Sequence, residues 1–472
     1  MPPRQFKKIY TRTTGAQDVE LYVVRPTFLL PNTPMTEMIY LGKDGKWEAW
    51  YVEDEYLKMM HSYADKVCAD GWNLDAHLVA FEKDRDYLKA TTHDLAQVSS
   101  SFSPEKAIEV YQKYSDAWLP YIEYIWIPWA ITFVLDEWFQ SELVKRYGEE
   151  RGKEIYEILA RCTKPIQMDR CIEELLQWKI DEEPTEQLRI IQQTYGHLGG
   201  YSVNDRYWNE DELKELVREF TDPKARLHEK QEARKLSAEN ADRIFQQLYR
   251  DDVWFYEVAR TIHEYVFLRT ERIDIYKWAA VNAGPFFRAF EEYFSLPPFI
   301  GGHLTRDEVL KALTTGEVPS AQEMEARLKK EYAIHFLHGS ARIITEEVER
   351  AALLKERFKT SVDISGVSFL QGKVACTGKV QGKARVILHL KDVPKMQSGE
   401  ILISNMTHPD YMPAIRKAAA IVTDEGGIVC HAAIISRELH IPCIVGTDQA
   451  TQVFKTGDTV EVDATQGTVR RI

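Results

Sequence analysis

The sequence predicts a multidomain α+β protein: a largely helical N-terminal region followed by a compact C-terminal α/β domain of about a hundred residues. Two observations carry this. Residues 56–360 show long stretches of apolar spacing at the helical period, with few β-branched alternations. From residue 366 onward, short β-rich runs alternate with Gly, Pro and Asp turn signals.

Residues 1–55 form a short β-rich N-terminal segment, with strand-like runs at Glu20–Val24, Met38–Leu41 and Trp47–Val52 broken by Pro and Gly. In the helical region, Ala107–Leu119, Phe139–Cys162 and Ala238–Leu268 read as amphipathic helices. Asp222-Pro223 and Leu296-Pro297-Pro298 mark helix breaks. Glu346–Lys359 is a charged connecting helix leading to a junction at Ser361–Gly366. In residues 366–472, strands are expected at 367–374, 378–380, 384–388, 400–404, 420–423, 443–445, 459–462 and 468–471, with helices near Met412–Ala418 and His431–Leu439.

Composition excludes several classes. Sixty Lys and Arg stand against 73 Asp and Glu, a formal charge of -13, which repels nucleic acid and anionic lipid. No stretch approaches the ~18 apolar residues of a membrane span, and no signal peptide is recognisable, so a cytoplasmic location is expected. The six cysteines form no CxxC pair and no metal-ligand spacing, which fits reduced thiols and no metal site.

The segment from Thr423 to Pro442 carries chemistry. A strand ending at Thr423 runs into the Gly426-Gly427 turn, and a helix starts near His431, with small Ala432 and Ala433 in its first turn. A helix N-terminus offers unpaired N–H groups and the positive end of the macrodipole, which favour an anion. Neutral imidazole is a good nucleophile that titrates near physiological pH, so a phosphoryl group on His431 would be well placed. A structural histidine at the start of a buried helix is the plainer alternative.

The whole run resembles the phosphohistidine domain of the PEP-utilising enzymes, among them PEP synthase, pyruvate phosphate dikinase, phenylphosphate synthase and rifampin-phosphotransferase-like enzymes. The resemblance covers roughly Gly372 to Ile472. It includes the Gly372–Ala384 pattern, Gly399–Leu402 followed by Thr407 and Pro409, the Gly426-Gly427 turn before His431, and the late Gly457-Asp458 and Gly467. It implies a swivelling β/β/α domain in which His431 is phosphorylated, with Cys430 beside the phosphate and Gly426, Gly427, Thr423 and Arg437 as further site candidates. Arg437 has a second reading, pairing with an acidic neighbour or docking the domain.

The helical region resembles, more weakly, the linker and acceptor-binding part of the same phosphotransferases. Tyr195–Gly200 leading to Arg206-Tyr207-Trp208 matches a Gly-His-Gly…Trp pattern, and Leu304–Val309 matches a Leu-Thr-x-x-Glu helix start with Thr305 and Glu308 forming a capping box. His263, Arg269 and Arg272 on one helix are candidates for a base and two phosphate clamps, with His197 as the alternative base. A salt-bridged helix with a histidine at the core's edge is the competing reading.

A domain of this kind serves two sites, and no Walker A motif or ATP-grasp-like Gly-rich loop is recognisable in the chain. The resemblance therefore implies one component of a split ATP-dependent dikinase-like phosphotransferase. ATP and Mg2+ are expected on a separate ATP-grasp subunit, with none tightly bound to this chain. A small hydroxylated, possibly aromatic acceptor is the expected partner in the helical region. A regulatory phosphocarrier without its own small-molecule acceptor, and a binding remnant, are the alternatives.

Overall fold

The computed structural model describes residues 6–12, 35–43, 46–182, 184–338, 340–357, 368–388, 390–407, 411–427 and 430–472. Glu20–Val24, Pro409 and the junction Ser361–Gly366 lie outside them. The chain is a multidomain α+β protein with a helical N-terminal region and a C-terminal sheet. It divides into two compact units: Met1–Ala130 with Cys162–Lys359, and Ile131–Arg161 with Thr360–Ile472.

The first unit opens with β1 (Phe6–Arg12), β2 (Glu37–Lys43) and β3 (Lys46–Val52). These do not stand as a separate β segment. They join β4 (Ala333–Leu337) and β5 (Ser340–Ile344) in an antiparallel sheet of order β1-β3-β2-β4-β5. Sequence patterning places 333–344 within the helical region instead. The two strands are five residues each, too short for periodicity to separate them from helix. One face of the sheet buries Ile39, Leu41, Ala333 and Ile344 against Leu353 of the helix Glu347–Arg357. The other is aromatic: Tyr40 and Tyr51 share a hydroxyl hydrogen bond of 2.7 Å, and Tyr51 stacks on Tyr56 and meets Trp126 edge-on.

Four helices of this unit frame the residues discussed below: α1 (Leu74–Val98), α2 (Gln167–Ile180), α3 (Pro223–Asp251) and α4 (Val253–Tyr293). At 41 residues α4 is about 60 Å long and buries residues all round its circumference, as a central helix must. The stretch Ala238–Leu268, which reads from sequence as one helix, is the end of α3 and the start of α4. Asp252 separates them: its backbone is extended, and its carboxylate accepts from the Phe255 N–H at 3.0 Å as an N-cap. Asp222 caps α3 in the same way, and the Thr305–Glu308 capping box forms at the helix Arg306–Thr315.

The second unit holds an eight-stranded sheet of order β6-β13-β12-β8-β9-β10-β11-β7. In chain order these are β6 (Phe369–Gln371), β7 (Lys373–Cys376), β8 (Lys379–Val386), β9 (Ile401–Ser404), β10 (Ala420–Thr423), β11 (Cys443–Val445), β12 (Thr459–Asp463) and β13 (Thr468–Arg471). Strands β8 to β11 run parallel, and β9, β10 and β11 are buried at every position, as a sheet covered on both faces requires. One face packs under Tyr411, Ala414, Ile415, Ala432 and Ala433, and the other under Ala450, Val453 and Phe454.

Ile131–Arg161 groups with this sheet, not with the rest of the helical region. It begins with a π-helical turn, Ile131–Leu135, and continues as two helices, Asp136–Tyr147 and Glu149–Leu159. The single helix expected over Phe139–Cys162 is not formed. Gly148, at φ +81, breaks it with a backbone conformation that favours glycine.

Candidate functional site

His431 is the first residue of α5 (His431–Leu439), with Cys430 as its extended N-cap. Sequence dictates this: Gly426 sits at φ +117, where a Cβ would also lie 2.8 Å from Cys430 Sγ. Only glycine makes that turn without strain. Gly427 is close-packed as well, since a Cβ there would lie 2.4 Å from the Thr132 methyl. The Cys430 N–H donates to the Gly427 carbonyl at 2.9 Å and closes the turn into the helix.

The imidazole is half-buried, and its Nδ1 is 2.9 Å from the buried hydroxyl of Thr407. That contact orients the ring and ties its tautomer to the hydroxyl's proton. Thr407 belongs to the matched pattern, but its role as ring partner is not readable from the sequence. Spacing could not show it, because the two residues are 24 apart and meet only through the sheet.

Thr423 is fully buried and serves the turn: its hydroxyl donates to the Glu425 carbonyl at 2.7 Å, and its carbonyl accepts from the Thr447 hydroxyl at 3.0 Å. Asp424 binds Thr451 through the N–H at 3.0 Å and through the hydroxyl. Arg437 donates through Nε to the Ala375 carbonyl at 2.9 Å, fixing α5 to β7. Buried Tyr156 donates to Asp136 Oδ1 at 2.8 Å. Burial, and next the Asp136 carboxylate, push this phenol well above its ordinary range, while Arg437 opposes them.

The acceptor candidates of the helical unit do not gather in one place. His263 lies on α4, 3.0 Å from the Thr163 hydroxyl and edge-on to Phe245 of α3. Arg269 is half-buried and Arg272 buried on the same helix. His263 and Arg272 are nine positions apart, which at about 100° per residue puts them on opposite faces. The common face expected from sequence is therefore not formed by that pair. His197 is 2% exposed, and its Nε2 is 3.1 Å from Gln167 Oε1 of α2. Burial first, then Lys277 and Lys89, lower its pKa to about 3, so it is neutral and weakly basic at neutral pH. Gly196 and Gly199 let this loop pack directly on Tyr207 and Trp208. Among the described residues no His, Cys, Asp and Glu cluster could hold a metal ion, and no helix is long and apolar enough to cross a membrane.

Residues 396–467 match the family described as "PEP-utilising enzyme, mobile domain". The probable phosphoenolpyruvate synthase of Archaeoglobus fulgidus is 39% identical over 171 residues, 35% of this chain and 22% of that protein. The phosphoenolpyruvate synthases of Pyrococcus furiosus and Aquifex aeolicus are 52% and 44% identical over 100 and 113 residues, 21% and 24% of this chain and 12% of each relative. The aligned segment thus spans less than a quarter of these relatives' length. A solution structure of Enzyme I aligns over 17% of this chain and 33% of that one, at 29% identity and a TM-score of 0.16. Residues 396–467 thus carry the pattern of the mobile domain of the PEP-utilising enzymes, and within them His431 opens the helix behind the glycine turn.

Proposed function

We propose that this chain is the phosphohistidine-carrying component of an ATP-dependent, dikinase-like phosphotransferase. His431 takes a phosphoryl group from ATP held with Mg2+ on a separate ATP-grasp subunit. It then passes the group to a small hydroxylated acceptor bound by the helical unit. The observation that carries the reading is the contact between Thr407 Oγ1 and His431 Nδ1 at the start of α5. With Nδ1 protonated and donating to the threonine, Nε2 holds the lone pair that attacks phosphorus. The P–O bond to the departing group breaks as the P–N bond forms. The phosphohistidine formed sits at a helix N-terminus, where N–H groups and the macrodipole stabilise its charge.

The test uses β-32P-labelled ATP, Mg2+ and a purified ATP-grasp nucleotide-binding domain supplied in trans. The expected result is an acid-labile, base-stable label on this chain only when both proteins are present, and none on His431→Ala. Robust labelling by the chain and ATP alone would place the donor site within this chain and overturn the split arrangement.

A further inference from the structure

Behind the His197 loop, the helical unit gathers charge around the middle of α4. Glu271, Arg272, Asp274 and Lys277 are 9%, 4%, 4% and 3% exposed, four charged side chains buried within seven positions of one helix. Glu271 receives Arg170 of α2 at 3.0 and 3.2 Å, and Gln167 at 3.4 Å, which links it to His197. Lys277 donates to the Leu198 carbonyl at 3.1 Å and lies 4.2 Å above the Tyr201 ring. The Asp274 carboxylate is 3.9 Å from its ammonium, beyond hydrogen-bond distance.

α1 adds charge to this cluster. Arg85 pairs with its neighbour Asp86 at 2.8 Å. One turn on, half-buried Lys89 reaches over Trp278 with its ammonium 5.5 Å from the ring centroid. No carboxylate among the described residues pairs with Lys89, whose nearest charged neighbours include Arg85, Asp86, Glu271 and Arg170. Burial, and then Arg85, weaken its hold on its proton.

Arg85 is matched by Asp86, Arg170 by Glu271 and Lys277 faces Asp274, while Lys89 forms no ion pair among the described residues. Half-buried positive charge left uncompensated beside buried polar groups is costly, and an anion relieves it. Aromatic rings under both lysines, and the neutral imidazole of His197 nearby, add flat surface and a hydrogen-bonding group.

We infer that Lys89, Arg170 and Lys277, with His197 and Trp278, form a binding site for the anionic group of a small molecule, a carboxylate or a phosphate. This rests on the proposed carrier function and sharpens it: the acceptor is a hydroxylated acid, held by its charge, and not a neutral alcohol or phenol. Lys89 is the residue that selects for charge, because among the described residues no carboxylate forms an ion pair with its ammonium. Part of this is visible in the sequence. Asp274 and Lys277, three apart in a helix with long apolar runs, are charges that an ordinary core helix excludes.

The test is calorimetric titration of the full chain with 4-hydroxybenzoate, inorganic phosphate and phenol as probes. The expected result is binding of at least one anion, no binding of phenol, and a loss of about tenfold or more in Lys89→Met that Lys89→Arg restores. Thermal melting of both variants should match the parent, since Lys89 is half-exposed. Preference for 4-hydroxybenzoate assigns the site to a carboxylate, and preference for phosphate to a phosphoryl group. Equal affinity for phenol, binding of neither anion, or unchanged binding by Lys89→Met would each overturn the site. His431→Ala should bind the probes as the parent does, so failed labelling at His431 and failed binding here are separate results.

Discussion

The hydroxyl of Thr407 is the smallest feature on which the proposed phosphoryl transfer turns. One hydrogen bond of this kind contributes about 0.5–1.5 kcal/mol, close to a tenfold effect where it aligns a reacting group. Thr407→Val is expected to slow phosphorylation of His431 about tenfold with little change in stability, and Thr407→Ser to retain the rate. Equal rates for Val and parent would show that the ring is oriented otherwise. Asp274 gives a second prediction at this scale. Burial raises its pKa from 3.8 to about 7, against the pull of Lys277. The folded carboxyl therefore holds its proton where the unfolded chain has lost it, and its contribution to stability falls as pH rises from about 4 to 7. The maximum slope is about 1.4 kcal/mol per pH unit. Urea titrations across that range should show Asp274→Asn gaining on the parent as pH rises. Parallel curves would mean the carboxyl is ionised throughout.

At the scale of elements, the glycine turn and the helix caps decide where chain direction changes. Gly426→Ala forces a Cβ into a left-handed backbone and against Cys430, costing on the order of 1–2 kcal/mol. Its measurable outcome is a lower melting temperature together with slower labelling of His431; an unaltered melt would show that the turn relaxes freely. The C-terminal strands are legible in the sequence because turn residues punctuate them and burial makes them uniformly apolar, as in Ile401–Ser404 and Ala420–Thr423. The boundary at Asp252 is hidden because the helical period continues across it, and only the cap marks the break. His431 is legible from its glycines and the helix behind them. Thr407, Lys89 and Glu271 are not, because their importance comes from partners on other elements. The expected grouping of His263 with Arg272 fails on helical phase, which a count of residues could have shown.

At the scale of the molecule, the N-terminal strands complete a sheet with residues some three hundred positions later, as in Glu37 with His335 at 2.7 Å. Buried Glu37 also receives Arg357 at 2.7 Å; burial raises its pKa, but the hydrogen bonds and charges of His335 and Arg357 together outweigh burial and lower it to about 2. Removing residues 1–52 uncovers the face of Tyr40's partner Phe336 and should leave the helical unit insoluble or unfolded; a stable truncated protein would contradict that dependence. The eight-stranded sheet lies wholly within 369–471. The carrier itself is tested most directly without any partner protein. Treat the full chain with phosphoramidate, record its phosphorus spectrum, and locate the modified residue by tandem mass spectrometry. A carrier histidine should give one fast-forming, acid-labile phosphoimidazole on Nε2 of His431, absent in His431→Ala; the same fast-forming signal in that variant would contradict it.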